Sequence, residues 1–196
     1  MILTAQSLLR QAIERFLLLP DDEWELLIPS LREKTLKKGE LFAQQGKRAD
    51  EIGFVLTGNL RHFYTKDGEE RTTYFYFENH FVASYISCLR KEPSQLSIQA
   101  LTDCALIVFP YQTMEQLYEQ SHVWERFGRL LAEYLAIGLE ERMTGLLMCS
   151  PQERYEELLT GNKNKILERI PQHYIASYLG VTPVSLSRIR TRTLKK

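Results

Sequence analysis

No run in the 196-residue sequence approaches the roughly 20 apolar residues that a membrane-spanning helix requires. The opening residues place apolar side chains at helical spacing, but Arg10, Glu14 and Arg15 break the run, so they do not read as a signal peptide. A cytoplasmic protein with no membrane partner is therefore expected. Cysteine is scarce and odd in number: Cys88, Cys104 and Cys149 are widely spaced, which argues against a disulfide framework, and no pair has metal-ligand spacing. No cluster of cations flanks any of them, so buried, reduced thiols are expected rather than a redox sensor.

Histidine is equally thin. His62, His80, His122 and His173 are scattered, so neither a metal site nor an axial haem ligand is assembled in sequence. A small cupin-like metalloenzyme would need His and Glu ligands clustered on adjacent strands, and His62 and His80 have no such neighbours. Ser-His-Asp, phosphate-loop and paired-carboxylate patterns are lacking too. The chain is read as a non-enzyme with no cofactor and no metal.

Net charge is also missing, with 25 basic and 25 acidic residues, but the balance conceals a gradient. From Gly161 onward there are eight basic residues (Lys163, Lys165, Arg169, Arg188, Arg190, Arg192, Lys195 and Lys196) against the single acid Glu168, a net +7. The preceding 160 residues hold 17 basic and 24 acidic side chains, a net −7. A basic tail on an acidic body points to a polyanionic partner for the tail.

What is present divides into zones. Residues 5–18 and 22–31 read as short helices, the second opened by Pro20-Asp21-Asp22. Over 33–110 the period changes to that of strands, rich in β-branched and aromatic residues and punctuated at Lys38-Gly39, Gln45-Gly46, Thr57-Gly58-Asn59 and Lys66-Asp67-Gly68-Glu69. Asp67-Gly68 between two alternating runs predicts a hairpin. Many short strands imply a sandwich or jelly-roll-like barrel. Helical period returns over 111–119 and then in one long helix from about Ser121 to Met148. Its apolar residues cover too much circumference for one buried stripe, so a second copy of the chain is expected to cover the remainder, the alternative being a helix wedged inside one monomer. Ser150-Pro151 opens a further helix, with Ser as cap, and Gly161-Asn162 closes it.

The most informative stretch is ILERIPQHYIASYLGVTPVSLSRIRTRTLKK. Two helices joined by a tight turn need a small residue at their closest approach, a residue free to turn the chain, and apolar residues at fixed offsets. Ala176 and Gly180 supply the first two; Ile175, Leu179, Val181, Leu186 and Ile189 supply the core. Thr182 is placed to cap the second helix, with Pro183 at its first position. A helix-turn-helix follows, with its recognition helix at about 183–192. Thr182, Val184, Ser185, Ser187 and Arg188 stand near its exposed start, where side chains reach base edges in a major groove, and Arg188 is the leading candidate for a guanine or phosphate. Arg190, Arg192, Lys195 and Lys196 suit phosphates, which position without reading sequence.

In its order of parts and in the segments IASYLGVTPVSLSRIR, GKRADEIGFVLTGNLRHFYTKDGEE and ALTDCALIVFPYQTMEQL, the chain resembles the Crp/Fnr superfamily of cyclic-AMP-receptor-like transcription regulators. The resemblance covers nearly the whole chain. It implies an α+β protein: an N-terminal jelly-roll-like β-roll of the cyclic-nucleotide-binding kind with flanking helices (1–120), a dimerisation helix (121–149), and a C-terminal helix-turn-helix domain (150–196). The expected partners are double-stranded DNA carrying an inverted repeat, a second copy through residues 121–148, RNA polymerase, and an unidentified small-molecule effector.

The sequence departs from the family at three places. The family's cyclic-nucleotide cassette has Phe, Gly and Glu in succession, with an Arg ten residues after the Glu; the carboxylate serves the ribose hydroxyl and the guanidinium serves the cyclic phosphate. Ungapped alignment puts Ala83 on the Gly, Ser84 on the Glu and Ser94 on the Arg. Arg90 lies four positions early, with Gln95 beside Ser94. A buried phosphate without a cation is heavily penalised, so the effector is expected not to be a cyclic nucleotide, or to be absent. Side chains such as Tyr76, Tyr85, Leu89 and Leu96 are expected to fill the pocket. The family's β-hairpin wing is not present after the recognition helix, so a minimal DNA-binding unit is expected. Pro183 and Val184 replace the Arg and Glu often used for base reading, so no operator sequence carries over. The alternative reading is a ligand- or partner-binding β-roll dimer with a vestigial DNA-binding end.

Overall fold

The computed structural model describes residues 2–160 and 164–193, with side chains from Thr4 onward. Expectations that fall on Gly161, Asn162, Lys163, Lys195 and Lys196 lie outside the described residues. The chain forms two compact units, Met1–His62 with Phe75–Tyr134, and Phe63–Tyr74 with Leu135–Lys196.

The first unit opens with α1 (Ile2–Glu14) and α2 (Asp21–Leu27), the latter with three acids in its first turn, where the helix dipole favours negative charge. Strands β1 (Arg32–Leu36), β2 (Leu41–Ala43), β3 (Glu51–Thr57), β4 (Leu60–Lys66), β5 (Glu69–Tyr76) and β6 (Phe81–Val82) follow. After a short helix α3 (Tyr85–Arg90) come β7 (Ser97–Ala100) and β8 (Cys104–Pro110). They make two four-stranded sheets, ordered β1-β8-β3-β6 and β2-β7-β4-β5. In the first sheet β8 pairs antiparallel with β1 and with β3, Phe54 facing Ile107 and Gly53 facing Val108.

Alternation along these strands divides the core in two, because successive side chains leave opposite faces of a sheet. Phe54, Ile107 and Phe109 point to one side and pack with Leu9, Ile13, Trp24, Leu27, Met114, Trp124 and Phe127. Val55, Leu106 and Val108 point to the other and fill the space between the sheets with Leu60, Tyr76, Val82, Leu96 and Ile98. The helices that cover the outer face are α1, α2, α4 (Tyr111–Gln120) and the start of α5 (His122–Met148). The central strands β3 and β8 of this sheet are thus buried on both faces.

The turn signals resolve as expected. At the β4–β5 hairpin Asp67 and Gly68 both take positive φ, +53° and +80°, the backbone that a two-residue primed turn demands. Cys88 and Cys104 are buried and free. Burial pushes the Cys88 thiol up to about 11 and raises Cys104 as well, which leaves both protonated and poorly nucleophilic. Among the described residues no group of three His, Cys, Asp or Glu side chains could hold a metal ion, and no helix is long and apolar enough to cross a membrane.

The second unit contains the far half of α5, then α6 (Pro151–Thr160), α7 (Asn164–Arg169), α8 (Gln172–Leu179) and α9 (Pro183–Thr193). Tyr155, Leu158, Ile166, Ile170, Ile175, Leu179, Leu186 and Ile189 are its buried core. Helices α3 and α7, each six residues long, are too short to show a period in the sequence.

Candidate nucleic-acid interface

The approach to the interface begins at α6. Ser150 Oγ accepts from the Glu153 amide at 3.3 Å while Glu153 Oε2 accepts from the Ser150 amide at 2.7 Å, a reciprocal capping box that satisfies two helix-end donors. The same bonds hold the Glu153 carboxyl below the ordinary range. This fixes where α6 starts.

Between α8 and α9 the chain turns through Gly180, whose φ of +71° lies in the left-handed region. The amide of Val181 reaches back to the Ala176 carbonyl at 3.0 Å, so the end of α8 is closed by backbone bonds that only this turn allows. Ala176 is fully buried, one helical turn before Gly180. Thr182 Oγ1 then accepts from the Ser185 amide at 3.2 Å and caps α9. Leu186 and Ile189 face inward with Ile175 and Leu179, as the spacing predicts, while Val181 is only half-buried.

The opposite face of α9 carries the proposed contacts. Thr182, Val184, Ser187, Arg188 and Arg192 are exposed, Val184 to 62%. Ser185 and Arg190 are half-buried; Arg190 lines a small cleft with Tyr155, Gln172 and Leu186. Helix α9 contains no acid, and its exposed arginines, Arg188 and Arg192, stand one turn apart on the same face, so its outer surface is cationic.

The last turn of α8 shows contacts that the sequence does not advertise. Ser177 Oγ accepts from the Thr72 amide at 2.9 Å and donates to the Glu70 carbonyl at 3.2 Å, both on the β5 edge. The buried Arg154 of α6 donates to the Leu179 carbonyl at 2.8 Å and to Cys149 O at the end of α5. Arg142 of α5 donates to the Tyr178 carbonyl and lays its guanidinium 3.8 Å from the centre of the Tyr178 ring. Burial lowers the Arg142 pKa, Tyr178 opposes this, and nearby Arg154 adds to it. Both arginines place positive charge at helix C-termini, where the dipole favours it.

In the first unit the cassette positions come together in a different chemistry. Ser84 Oγ and Ser94 Oγ lie 2.7 Å apart, both buried, and Ser94 Oγ also donates to the Leu96 carbonyl at 2.7 Å. The two positions ten residues apart are thus juxtaposed, but as neutral hydroxyls bonded to each other. Ala83 is half-buried, whereas Arg90 and Gln95 are exposed. Of the expected filling residues, Tyr76 and Leu96 are inside the sandwich; Tyr85 and Leu89 are exposed on α3, because a helix six residues long buries only Ser87 and Cys88.

Comparison with known proteins accords with this arrangement. Residues 33–121 match the sequence family described as cyclic nucleotide-binding domain. The transcriptional activator protein Anr of Pseudomonas protegens is 25% identical over 175 residues, covering 82% of this chain and 70% of that protein. Among solved structures, FixK2 from Bradyrhizobium japonicum superposes with a TM-score of 0.69 at 20% identity, over 84% of this chain and 85% of that one. A CooA variant from Carboxydothermus hydrogenoformans gives 0.65 at 16% identity, over 86% and 78% respectively. At those identities the structural likeness speaks for the fold alone.

Proposed function

Because this chain carries a cyclic nucleotide-binding domain and is homologous to the Crp/Fnr transcriptional regulators, we propose that it is a sequence-specific DNA-binding regulator acting as a dimer, whose effector is not a cyclic nucleotide. In this reading residues 1–120 are the sensory part, 121–149 the dimerisation helix and 150–196 the reading head, working in the cytoplasm. The observation that carries it is the exposed, acid-free face of α9, with Arg188 outward and the turn at Gly180 closed behind it.

On the far half of α5, Leu139 and Leu147 are 71% and 75% exposed, with Met143 exposed between them. Apolar residues repeating every four along a helix form one stripe, and a second copy aligned along it would bury them at roughly 25 cal/mol per Å². Two copies related by a two-fold axis would present two α9 helices to successive major grooves, so an inverted repeat is the target. Arg188 would contact a base edge or phosphate, with Val184 and Ser187 beside it; Arg192 would neutralise a phosphate.

The cassette argues against a cyclic nucleotide. Such a ligand brings a phosphate that needs a cation and a ribose that needs an acceptor, and Ser84 and Ser94 provide neither charge. Gel shifts with Arg188→Ala and Arg192→Ala over a salt series test the division of labour. Arg188→Ala should abolish selective binding, whereas Arg192→Ala should weaken all sequences alike and shallow the salt slope by about 1. Equal, sequence-independent losses in both would contradict it.

A further inference from the structure

Three successive residues at the end of α8 are each held by a different element of the second unit: Ser177 by the β5 edge, Tyr178 by Arg142 of α5, and Leu179 by Arg154 of α6. Since α9 follows α8 through the tight turn at Gly180, closed by the Val181 amide on the Ala176 carbonyl, and both helices bury apolar residues in the same core, whatever orients α8 orients α9 with it.

Arg142 differs from the other two in lying on the helix that bears Leu139, Met143 and Leu147. It also grips one residue in two ways. An in-plane N–H donates to the Tyr178 carbonyl while the guanidinium face rests 3.8 Å from the centre of the same residue's ring. A donor in the plane and a stacked face together constrain both separation and rotation. A lysine ammonium can supply charge and a donor, but no plane. Tyr178 is buried and Arg142 half-buried, so water does not replace either contact freely.

Resting on the DNA-reading dimer argued above, we propose that Arg142 is a positioning residue that fixes the angle between α5 and α8–α9, and thereby the half-site spacing that the protein accepts. Among the described residues no hydrogen bond or ring contact joins it to the α9 side chains assigned to the duplex, its partners being the Tyr178 carbonyl and ring, so base preference within a half-site is independent of it. Spacing and base identity therefore respond separately to its loss.

The test uses the full-length protein and labelled duplexes carrying its selected inverted repeat, with one base pair inserted or deleted between half-sites, followed by fluorescence anisotropy. One inserted pair turns the half-sites by about 34–36° relative to each other. Wild type should lose about tenfold or more in affinity on insertion, a cost similar to one mismatch. Arg142→Met should shrink that ratio to about threefold or less while leaving single-base mismatch ratios as in wild type. Arg142→Lys should fall between. Tyr178→Leu, which keeps the carbonyl and removes the ring, should also shrink the ratio to a value between wild type and Arg142→Met, and decides the matter should Arg142→Met fail to fold. Folded variants that keep the wild-type spacing ratio would overturn the proposal, as would mismatch ratios that fall in step with it. Wild type binding all duplexes equally would instead overturn the DNA-reading function, and this proposal with it.

Discussion

Ser84 and Ser94 share a 2.7 Å hydrogen bond in the interior of the β-roll, ten residues apart in sequence. Ser94 does more than pair: its hydroxyl also donates to the Leu96 carbonyl and accepts from the Leu96 amide at 3.2 Å. Ser84→Ala removes one neutral bond and should cost about 0.5–1.5 kcal/mol. Ser94→Ala strands the Leu96 amide and the Ser84 hydroxyl together and should cost more, about 1–3 kcal/mol. Urea unfolding of the two variants orders them; a larger loss for Ser84→Ala would mean that Ser94 is not the hub.

The same pair predicts a calorimetric result. Titration with cyclic AMP should give no heat of binding at ligand concentrations up to the millimolar range, about the limit at which a weak site is still visible. Saturable micromolar binding would show that another cation reaches the phosphate.

Gly180 holds the turn of the reading head at φ +71°. A left-handed backbone costs a residue with a Cβ about 1–2 kcal/mol, and the nearest atoms to a built Cβ are 3.9 Å away, on Arg154 and Leu146. The cost of Gly180→Ala should therefore be that strain alone, with no added clash. A thermal-melt loss far above this range would place an unseen steric conflict at the turn.

How much of this was legible beforehand follows from range. Ala176, Gly180, Thr182 and Pro183 define a local turn, so the helix-turn-helix could be read from spacing, as could the Asp67-Gly68 hairpin. The Ser84–Ser94 pairing could be anticipated only through the family alignment, because nothing in two isolated serines says that they meet. Arg142, Arg154 and Ser177 were invisible. Their hydrogen-bond partners are the Tyr178 and Leu179 carbonyls, the Thr72 amide and the Glu70 carbonyl, and backbone groups have no residue type to recognise; the Tyr178 ring that Arg142 also meets lies 36 residues away with no local signal. Leu89 and Tyr85 show the opposite case: apolar character alone suggests burial, but both are exposed on α3, a helix too short to show a period in the sequence.

His62 gives the fold a pH dependence. Burial lowers its pKa from 6.5 to about 4, so between those values the unfolded chain binds more protons than the folded one. Stability therefore rises with pH across this window and is lost as pH falls from about 6.5 towards 4. The shift sets an upper bound of roughly 3 kcal/mol on the effect. His62→Gln should flatten the slope of unfolding free energy between pH 6.5 and 4, relative to wild type. An unchanged slope would assign it to other groups.

Selection of duplexes from a random DNA pool by the purified full-length protein tests the central claim most directly, because it presupposes no operator. The account predicts enrichment of an inverted repeat with half-sites centred about 10–10.5 base pairs apart or a multiple of that, lost from the Arg188→Ala protein. A pool that stays random after repeated rounds at moderate salt would contradict it.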